Sequence, residues 1–308
     1  MKSIGGFYYV APEDGAGEAA GAENLIECRG RGILRKRGVT PAVGDRCVVT
    51  LPDSSAIGLS DKVLSTVDEI LPRRNILTRP AVANLDKLFV VVSSCKPRPN
   101  LTVIDRLIAV AEYDDIEPVL VLTKLDLGDL SDLEKVYKSA GFKTLAADYT
   151  APGSLGAIRD EMRGCLSAFA GNSGVGKSTL LNALFPHISQ ETGETSEKLG
   201  RGRHTTRSVQ LFCVEEDGKN NHTYIADTPG FSSFDGDFGV RVPAGKLELC
   251  FREFAPYLAG CKFVSCAHVK DGGCAVLEAL GRGEIQKSRH ASYAAMYEEA
   301  RQVKDWER

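Results

Sequence analysis

Nine residues carry the strongest chemical signal in the chain: Gly171-Asn172-Ser173-Gly174-Val175-Gly176-Lys177-Ser178-Thr179. They follow the phosphate-binding pattern of a glycine, four free positions, then Gly-Lys-Ser or Gly-Lys-Thr. Glycines let successive backbone N–H groups curl around phosphate oxygens with no Cβ in the way. A helix that follows turns its positive end towards the same anion. The Lys177 ammonium can reach outer phosphates, and the Ser178 hydroxyl can ligate Mg²⁺. The flanks agree: Leu166-Ser167-Ala168-Phe169-Ala170 reads as the incoming strand, and residues 179–185 read as the outgoing helix, ended by Pro186.

A second group sits upstream. Thr123-Lys124-Leu125-Asp126 closes the apolar strand 118–122 and matches the Asn/Thr-Lys-x-Asp tetrapeptide that recognises guanine. Guanine offers two adjacent donors, N1–H and N2–H₂, which one carboxylate such as Asp126 can accept together. Adenine would leave that carboxylate unpaired. The lysine stem can lie along the base, and Thr123 can add a tying hydrogen bond. The expected nucleotide is therefore GTP.

Downstream, Asp227-Thr228-Pro229-Gly230 follows a strand at 223–226. An aspartate at a strand end can hold Mg²⁺, and the Gly230 N–H can sense a γ-phosphate. Between the two lies the polar stretch Gly200-Arg201-Gly202-Arg203-His204-Thr205-Thr206-Arg207, in which Thr205 or Thr206 can complete the magnesium shell. Such a loop, ordered by the γ-phosphate, works as a switch. Phe231 stands where a water-orienting glutamine is common, and a phenyl ring cannot position water.

Positioning these groups requires a parallel α/β sheet. Strands are expected at 88–92, 118–122, 143–146, 166–170 and 223–226, and helices at 103–113, 132–140 and 155–162. In ordinary small GTPases the phosphate loop and both switch elements precede the guanine motif; here the guanine motif precedes the phosphate loop. One sheet serves both orders if the chain is circularly permuted. Permutation places everything after Gly230 directly behind the element that senses the γ-phosphate.

The flanks read differently. Residues 7–10, 25–28, 46–50 and 62–64 are short strand candidates separated by turn signals, which suggests a small β-barrel of the OB-fold class. Arg29, Arg31, Arg35, Lys36 and Arg37 form an acid-free basic run, expected on a strand-loop of that barrel as an RNA-backbone contact. Arg73, Arg74 and Arg79 extend the basic character into a linker. Near the C-terminus, Cys261, Cys266, His268 and Cys274 have the spacing Cys-x₄-Cys-x-His-x₅-Cys, enough for a closed tetrahedral zinc site among helices expected at 247–258, 275–280 and 292–306. The expected domains are 1–72, 73–237 and 238–308.

The totals exclude other classes. The 308 residues are 43% hydrophobic and 26% charged, with net charge −3, so nucleic-acid contact must come from local patches. No apolar run reaches the roughly 20 residues of a membrane helix, and residues 1–6 lack the apolar core of a signal peptide. A cytoplasmic protein is expected. Nine cysteines argue for a metal site over a disulfide framework; Cys28, Cys47, Cys95, Cys165, Cys213 and Cys250 read as core or half-buried.

Taken in this order, the motifs resemble those of the bacterial RsgA (YjeQ) family over nearly the whole chain. That resemblance implies a GTPase, with GTP and GDP as ligands. It further implies action late in assembly of the 30S ribosomal subunit, stimulation by that subunit, and 16S rRNA as a contact of the barrel and the zinc module. It also implies that His204, the nearest polar group for the task, positions the attacking water; contact with rRNA or support of its loop is the alternative. A monomer is expected. An RNA-binding scaffold with GTP as a structural ligand is the alternative from another class, favoured by Phe231. A permuted GTPase of the large subunit is opposed by the barrel and the cysteine cluster. The guanine-backing motif is weak: Leu145-Ala146-Ala147-Asp148 replaces the usual Ser-Ala, leaving a backbone N–H to meet the guanine O6.

Overall fold

Apolar runs without alternation dominate the middle of the chain, and a strand of that kind must be buried on both faces. In a computed structural model the described residues are 2–4, 6–12, 25–52, 64–78, 81–151, 153–186, 210–216, 222–227 and 242–303. His204, Thr205, Thr206, Gly230, Phe231 and Arg79 lie outside them, as does the side chain of Asp227. The described chain divides into two compact units.

The first unit takes in Met1–Lys87, Arg159–Ala168 and Leu184–Phe231. It holds β1 (Lys2–Ile4), β2 (Phe7–Val10), β3 (Ile26–Gly30), α1 (Gly32–Lys36), β4 (Cys47–Thr50) and β5 (Ser65–Ile70). These strands run in the order β1-β2-β3-β5-β4, with β3 and β5 parallel and the other pairs antiparallel. This is the partly open five-stranded barrel of the OB class. Its small core is Cys28, Leu34 and Val67, with Tyr8, Val10, Ile26, Cys47, Val49 and Ile70 packed around it. Two expectations shift: β5 covers Ser65–Ile70, beyond the strand expected at 62–64, of which 62–63 lie outside the described residues; and of the basic run Arg35 and Lys36 lie on α1, with Arg31 and Arg37 at its two caps and Arg29 on β3.

Further along, the hairpin β6 (Ile76–Thr78) and β7 (Ala81–Ala83) follows the linker. The linker arginines are structural staples. Arg73 donates to both Asp45 oxygens at 2.7 and 2.8 Å and to the Thr40 carbonyl at 2.7 Å. Arg74 pairs with Asp86 at 2.7 Å. This unit also contains β12 (Gln210–Glu216) and β13 (His222–Asp227), an antiparallel pair, with β13 parallel to the first residues of β11 (Leu166–Ala170).

The second unit takes in Leu88–Ile158, Phe169–Ala183 and Ser232–Arg308. Its strands are β8 (Lys87–Ser93), β9 (Glu117–Thr123) and β10 (Lys143–Ala146), ordered β10-β9-β8-β11. β9 and β10 are parallel, and Phe89 stacks on Phe169 with ring centroids 5.0 Å apart. The helices are α2 (Leu101–Tyr113), α3 (Ser131–Ser139), α4 (Ser154–Met162, shared between the units) and α5 (Lys177–Leu184). Asn100 caps α2 by accepting the Val103 N–H.

The C-terminal residues of this unit are helical, but not as one long element over 247–258. That stretch breaks into Ala244–Leu247, two 3₁₀ turns and Ala255–Leu258; Pro256 at the start of the last piece fits only a first turn. Helices Ala275–Arg282 and Lys287–Gln302 follow, the latter starting five residues before the expected 292. Helix Lys287–Gln302 is docked on α2, with Arg106 and Glu299 paired at 2.5 Å.

Candidate functional site

The phosphate-type loop is built where β11 ends against β8. Gly171 has φ +145°, and a Cβ there would lie 2.4 Å from the Val91 carbonyl, so no other residue fits. Gly174 and Gly176 also have positive φ, +82° and +99°. The loop passes into α5, whose Leu180 N–H donates to the Gly176 carbonyl at 2.8 Å. The first N–H groups of such a helix have no partner within it and face the loop. Lys177 Nζ turns into the loop, donating to the carbonyls of Gly171 (2.6 Å) and Asn172 (2.9 Å). Burial pushes its pKa down to about 8. A desolvated ammonium held by two carbonyls of a glycine-rich loop at a helix N-terminus is a phosphate-binding arrangement. Ser173, Ser178 and Thr179 are exposed at the same loop, Asn172 is half-buried and Val175 is buried under it.

The 123–126 tetrapeptide is joined to that loop directly. Thr123, buried, donates its hydroxyl to the Val175 carbonyl at 2.6 Å. Lys124 Nζ reaches the carbonyls of Gly174 and Lys96, each at 2.7 Å. Lys124 has φ +55°, a left-handed turn that takes the chain off β9. Leu125 is half-buried; Asp126 is exposed, with no hydrogen bond or ion pair among the described residues. One corner thus brings an anion cradle together with a carboxylate able to accept two adjacent donors.

Sequence reasoning missed the third wall of this corner, the segment from Ser94 to Asn100. Ser94 Oγ donates to the Lys124 carbonyl at 2.5 Å, and the Lys96 carbonyl is one of the Lys124 acceptors. No residue pattern marks such backbone acceptors. In the weak backing motif, the Ala147 N–H is committed to the Leu122 carbonyl at 2.8 Å and is not the one free to meet a guanine O6. Asp148 next caps a tight turn by accepting from the Thr150 N–H and hydroxyl.

Cys261, Cys266, His268 and Cys274 converge, with their ligand atoms all within 4.8 Å of one another. Zn–S bonds of about 2.3 Å and a Zn–N bond of about 2.0 Å give tetrahedral edges of about 3.8 Å (S···S) and about 3.6 Å (S···N). The observed edges include Cys261–Cys274 at 3.9 Å, His268 Nδ1–Cys261 at 3.6 Å and His268 Nδ1–Cys274 at 3.4 Å. Glu248 Oε2 lies 2.8 Å from His268 Nε2, which fixes the ring with Nδ1 towards the sulfurs. Burial pushes the Cys266 thiol up to about 12 and raises Cys274, so thiolates here need a cation. The set fits a tetrahedral metal. Tyr293 and His290 hold the knuckle to the last helix through the carbonyls of Ala267 (3.0 Å) and His268 (2.7 Å).

The family model described as RsgA GTPase matches residues 70–237, and that described as RsgA N-terminal domain matches residues 1–57. The chain belongs to the RsgA GTPase family. Relatives named small ribosomal subunit biogenesis GTPase RsgA include one from Ruminiclostridium cellulolyticum, 38% identical across 98% of this chain and 93% of the relative. Another, from Alkaliphilus metalliredigens, is 39% identical across 96% and 94%. YloQ, described as a circularly permuted GTPase, is 30% identical, covers 99% of this chain and 94% of its own, and has a TM-score of 0.73. YjeQ from Thermotoga maritima has a TM-score of 0.71 at 31% identity, over 91% of both chains. As a member of the RsgA family the chain is a permuted GTPase, with the phosphate loop after the guanine tetrapeptide.

Among the described residues no helix is long and apolar enough to cross a membrane. Arg29, Arg31, Arg35, Lys36 and Arg37 are all exposed. Arg29 lies over the Phe7 ring at 4.8 Å, and Arg31 makes one long pair with Asp68 at 3.4 Å.

Proposed function

We propose that this RsgA-family GTPase binds the small (30S) ribosomal subunit late in its assembly, hydrolyses GTP to GDP and phosphate under stimulation by that subunit, and leaves on hydrolysis. The observation that carries the GTP reading is the bonding of Thr123 and Lys124 to the phosphate loop. It makes base recognition and phosphate recognition one rigid corner. Residues 123–126 would hold guanine and residues 171–179 the phosphates. Ser178 and Asp227 would serve as Mg²⁺ residues, with Thr205 or Thr206 joining in the GTP state. Gly230 and Phe231 would form the second switch, and His204 would position the water that Phe231 cannot. The metal of the cysteine–histidine cluster is zinc, one per chain and structural, since all four positions of a tetrahedron are filled by protein.

The functional domains are 1–72, 73–237 and 238–308, and the protein is a cytoplasmic monomer. Its rRNA contacts are the exposed basic face of α1 with Arg29 and Arg31 on one domain, and the zinc knuckle on the other. The knuckle exposes Phe263 and Val264 beside Lys262, a stacking and charge combination suited to RNA. The relatives' printed name and their near full-length match support the 30S partner.

Sedimentation with separated subunits tests partner and switch together. The chain should co-sediment with 30S particles in a non-hydrolysable GTP analogue and much less in GDP; equal binding to 50S particles, or no nucleotide dependence, would reject the reading. A scaffold with GTP as structural ligand, favoured by Phe231, requires instead that 30S particles leave turnover unstimulated; His204→Ala turning over on 30S particles at the unmodified rate would overturn only the role of His204.

A further inference from the structure

α2 is covered on nearly all sides: Ile104 to Ala111 are buried except Arg106, as a helix without a broad polar face must be. At about 100° per residue, Val103, Ile104 and Leu107 share one side, and Asp105 and Glu112 lie on the opposite side. The first side lines a cleft of ≈ 20 Å³ with Gly171, Asn172 and Val175, behind the phosphate loop. The second side meets the C-terminal residues. Arg289, on helix Lys287–Gln302 and 0% exposed, donates to Asp105 Oδ1 at 2.6 Å and to Glu253 Oε1 at 2.7 Å. Its guanidinium lies over Phe251 at 4.5 Å and Phe142 at 5.2 Å. Tyr137 also donates to Asp105 Oδ1, at 2.8 Å. Asp105 Oδ2 is buried without a hydrogen-bond partner among the described residues, so this carboxylate depends on Arg289 and Tyr137. At the penultimate residue of α2, Arg252 closes on Glu112 at 2.6 Å.

We infer that α2 couples the phosphate loop to the C-terminal zinc module, and that Arg289 is the positioning residue of that coupling. Sliding or rotating α2 alone would take Asp105 from a fully buried guanidinium, leaving it Glu253 as its one acid, and would strand the buried Asp105 carboxylate without a cation, a disfavoured state. α2 therefore moves only together with the C-terminal helix. Whatever the nucleotide does to the wall formed by Gly171, Asn172 and Val175 reaches the zinc module through α2, alongside the covalent connection after the second switch. Coupling of this kind is reciprocal, so disturbing the Arg289 end changes affinity at the loop.

The inference rests on guanine nucleotide occupying the 171–179 loop, and the test separates the two claims. Dissociation of a fluorescent GDP analogue is measured for the full chain and for Arg289→Met, with metal content and circular dichroism as checks on folding. Arg289→Met should release the nucleotide faster by about fivefold or more, with Arg289→Lys falling between it and the unmodified chain. GDP should also slow amide hydrogen exchange in helix Lys287–Gln302 of the unmodified chain but not of Arg289→Met. A variant that melts earlier yet releases GDP at the unmodified rate, with the exchange response intact, would show a merely structural role and overturn the inference. If Arg289→Met does not fold, Tyr137→Phe carries the test, because it deletes only the hydroxyl held by Asp105. Faster release supports the coupling, and an unchanged rate rejects it. An unmodified chain that bound no guanine nucleotide would instead sink the site reading, and the inference with it.

Discussion

Lys177 is the residue whose chemistry is most exposed to measurement. Without an anion, burial holds its pKa at about 8, whereas an unfolded lysine titrates near 10.4. Between those values the unfolded chain binds more protons, so this group's contribution to the stability of the nucleotide-free protein rises with pH there. Phosphate oxygens favour the charged form, which reverses the effect for binding. GTP affinity should be flat from about pH 6.5 to 7.5 and fall above about pH 8, approaching tenfold per pH unit; calorimetry in buffers of different ionisation heat should show proton uptake on that limb. Asp126 supports a second residue-scale expectation. Asp126→Asn puts an N–H donor against the guanine N2–H₂ and should weaken GTP binding by about 2–4 kcal/mol. Xanthosine triphosphate, with a carbonyl at that position, should lose far less, and competition binding separates the two. Both residues were legible from their motifs. Ser94 and the Lys96 carbonyl were not, because they act through backbone geometry that any residue type can provide.

At the scale of elements, the sequence is most readable where one period persists. β8, β9 and β11 fall within a residue of expectation because buried strands of this kind are continuous apolar runs; the edge strand β10, half-exposed, also matches 143–146. The stretch 247–258 misleads for the opposite reason: its apolar residues recur at helical intervals, while Pro256 and short-range packing against Phe251 and Phe254 break it into turns. β12 carried little signal, since its glutamates and polar flanks resemble loop. The zinc ligands were readable by spacing, but Glu248, thirteen residues upstream of Cys261, was found only in three dimensions. It orients the His268 ring by a 2.8 Å contact. Glu248→Ala should cost about 10–100-fold in metal affinity, measured by competition with a chromophoric chelator. An unchanged affinity would mean that the Glu248 contact does not orient the His268 ring for metal.

For the whole molecule, motif order was more informative than any single motif. The phosphate loop alone speaks of a phosphate; preceded by 123–126, it belongs to a permuted GTPase, as the match of residues 70–237 shows. What remained illegible was the docking of the last helix. Lys287–Gln302 reads as a mixed-charge surface helix, yet it buries Arg289 against α2. Charge pattern along one helix does not reveal the acids that another helix presents to it. In the proposed function, γ-phosphate chemistry on this chain is governed by a ribosomal partner. Its most direct test is GTP turnover by the purified protein, alone and with stoichiometric 30S or 50S subunits. Turnover alone should be slow, on the order of 10⁻⁴–10⁻² s⁻¹ as for unassisted GTPases, and should rise at least about tenfold with 30S subunits only. Equal turnover with and without 30S subunits would contradict the proposal.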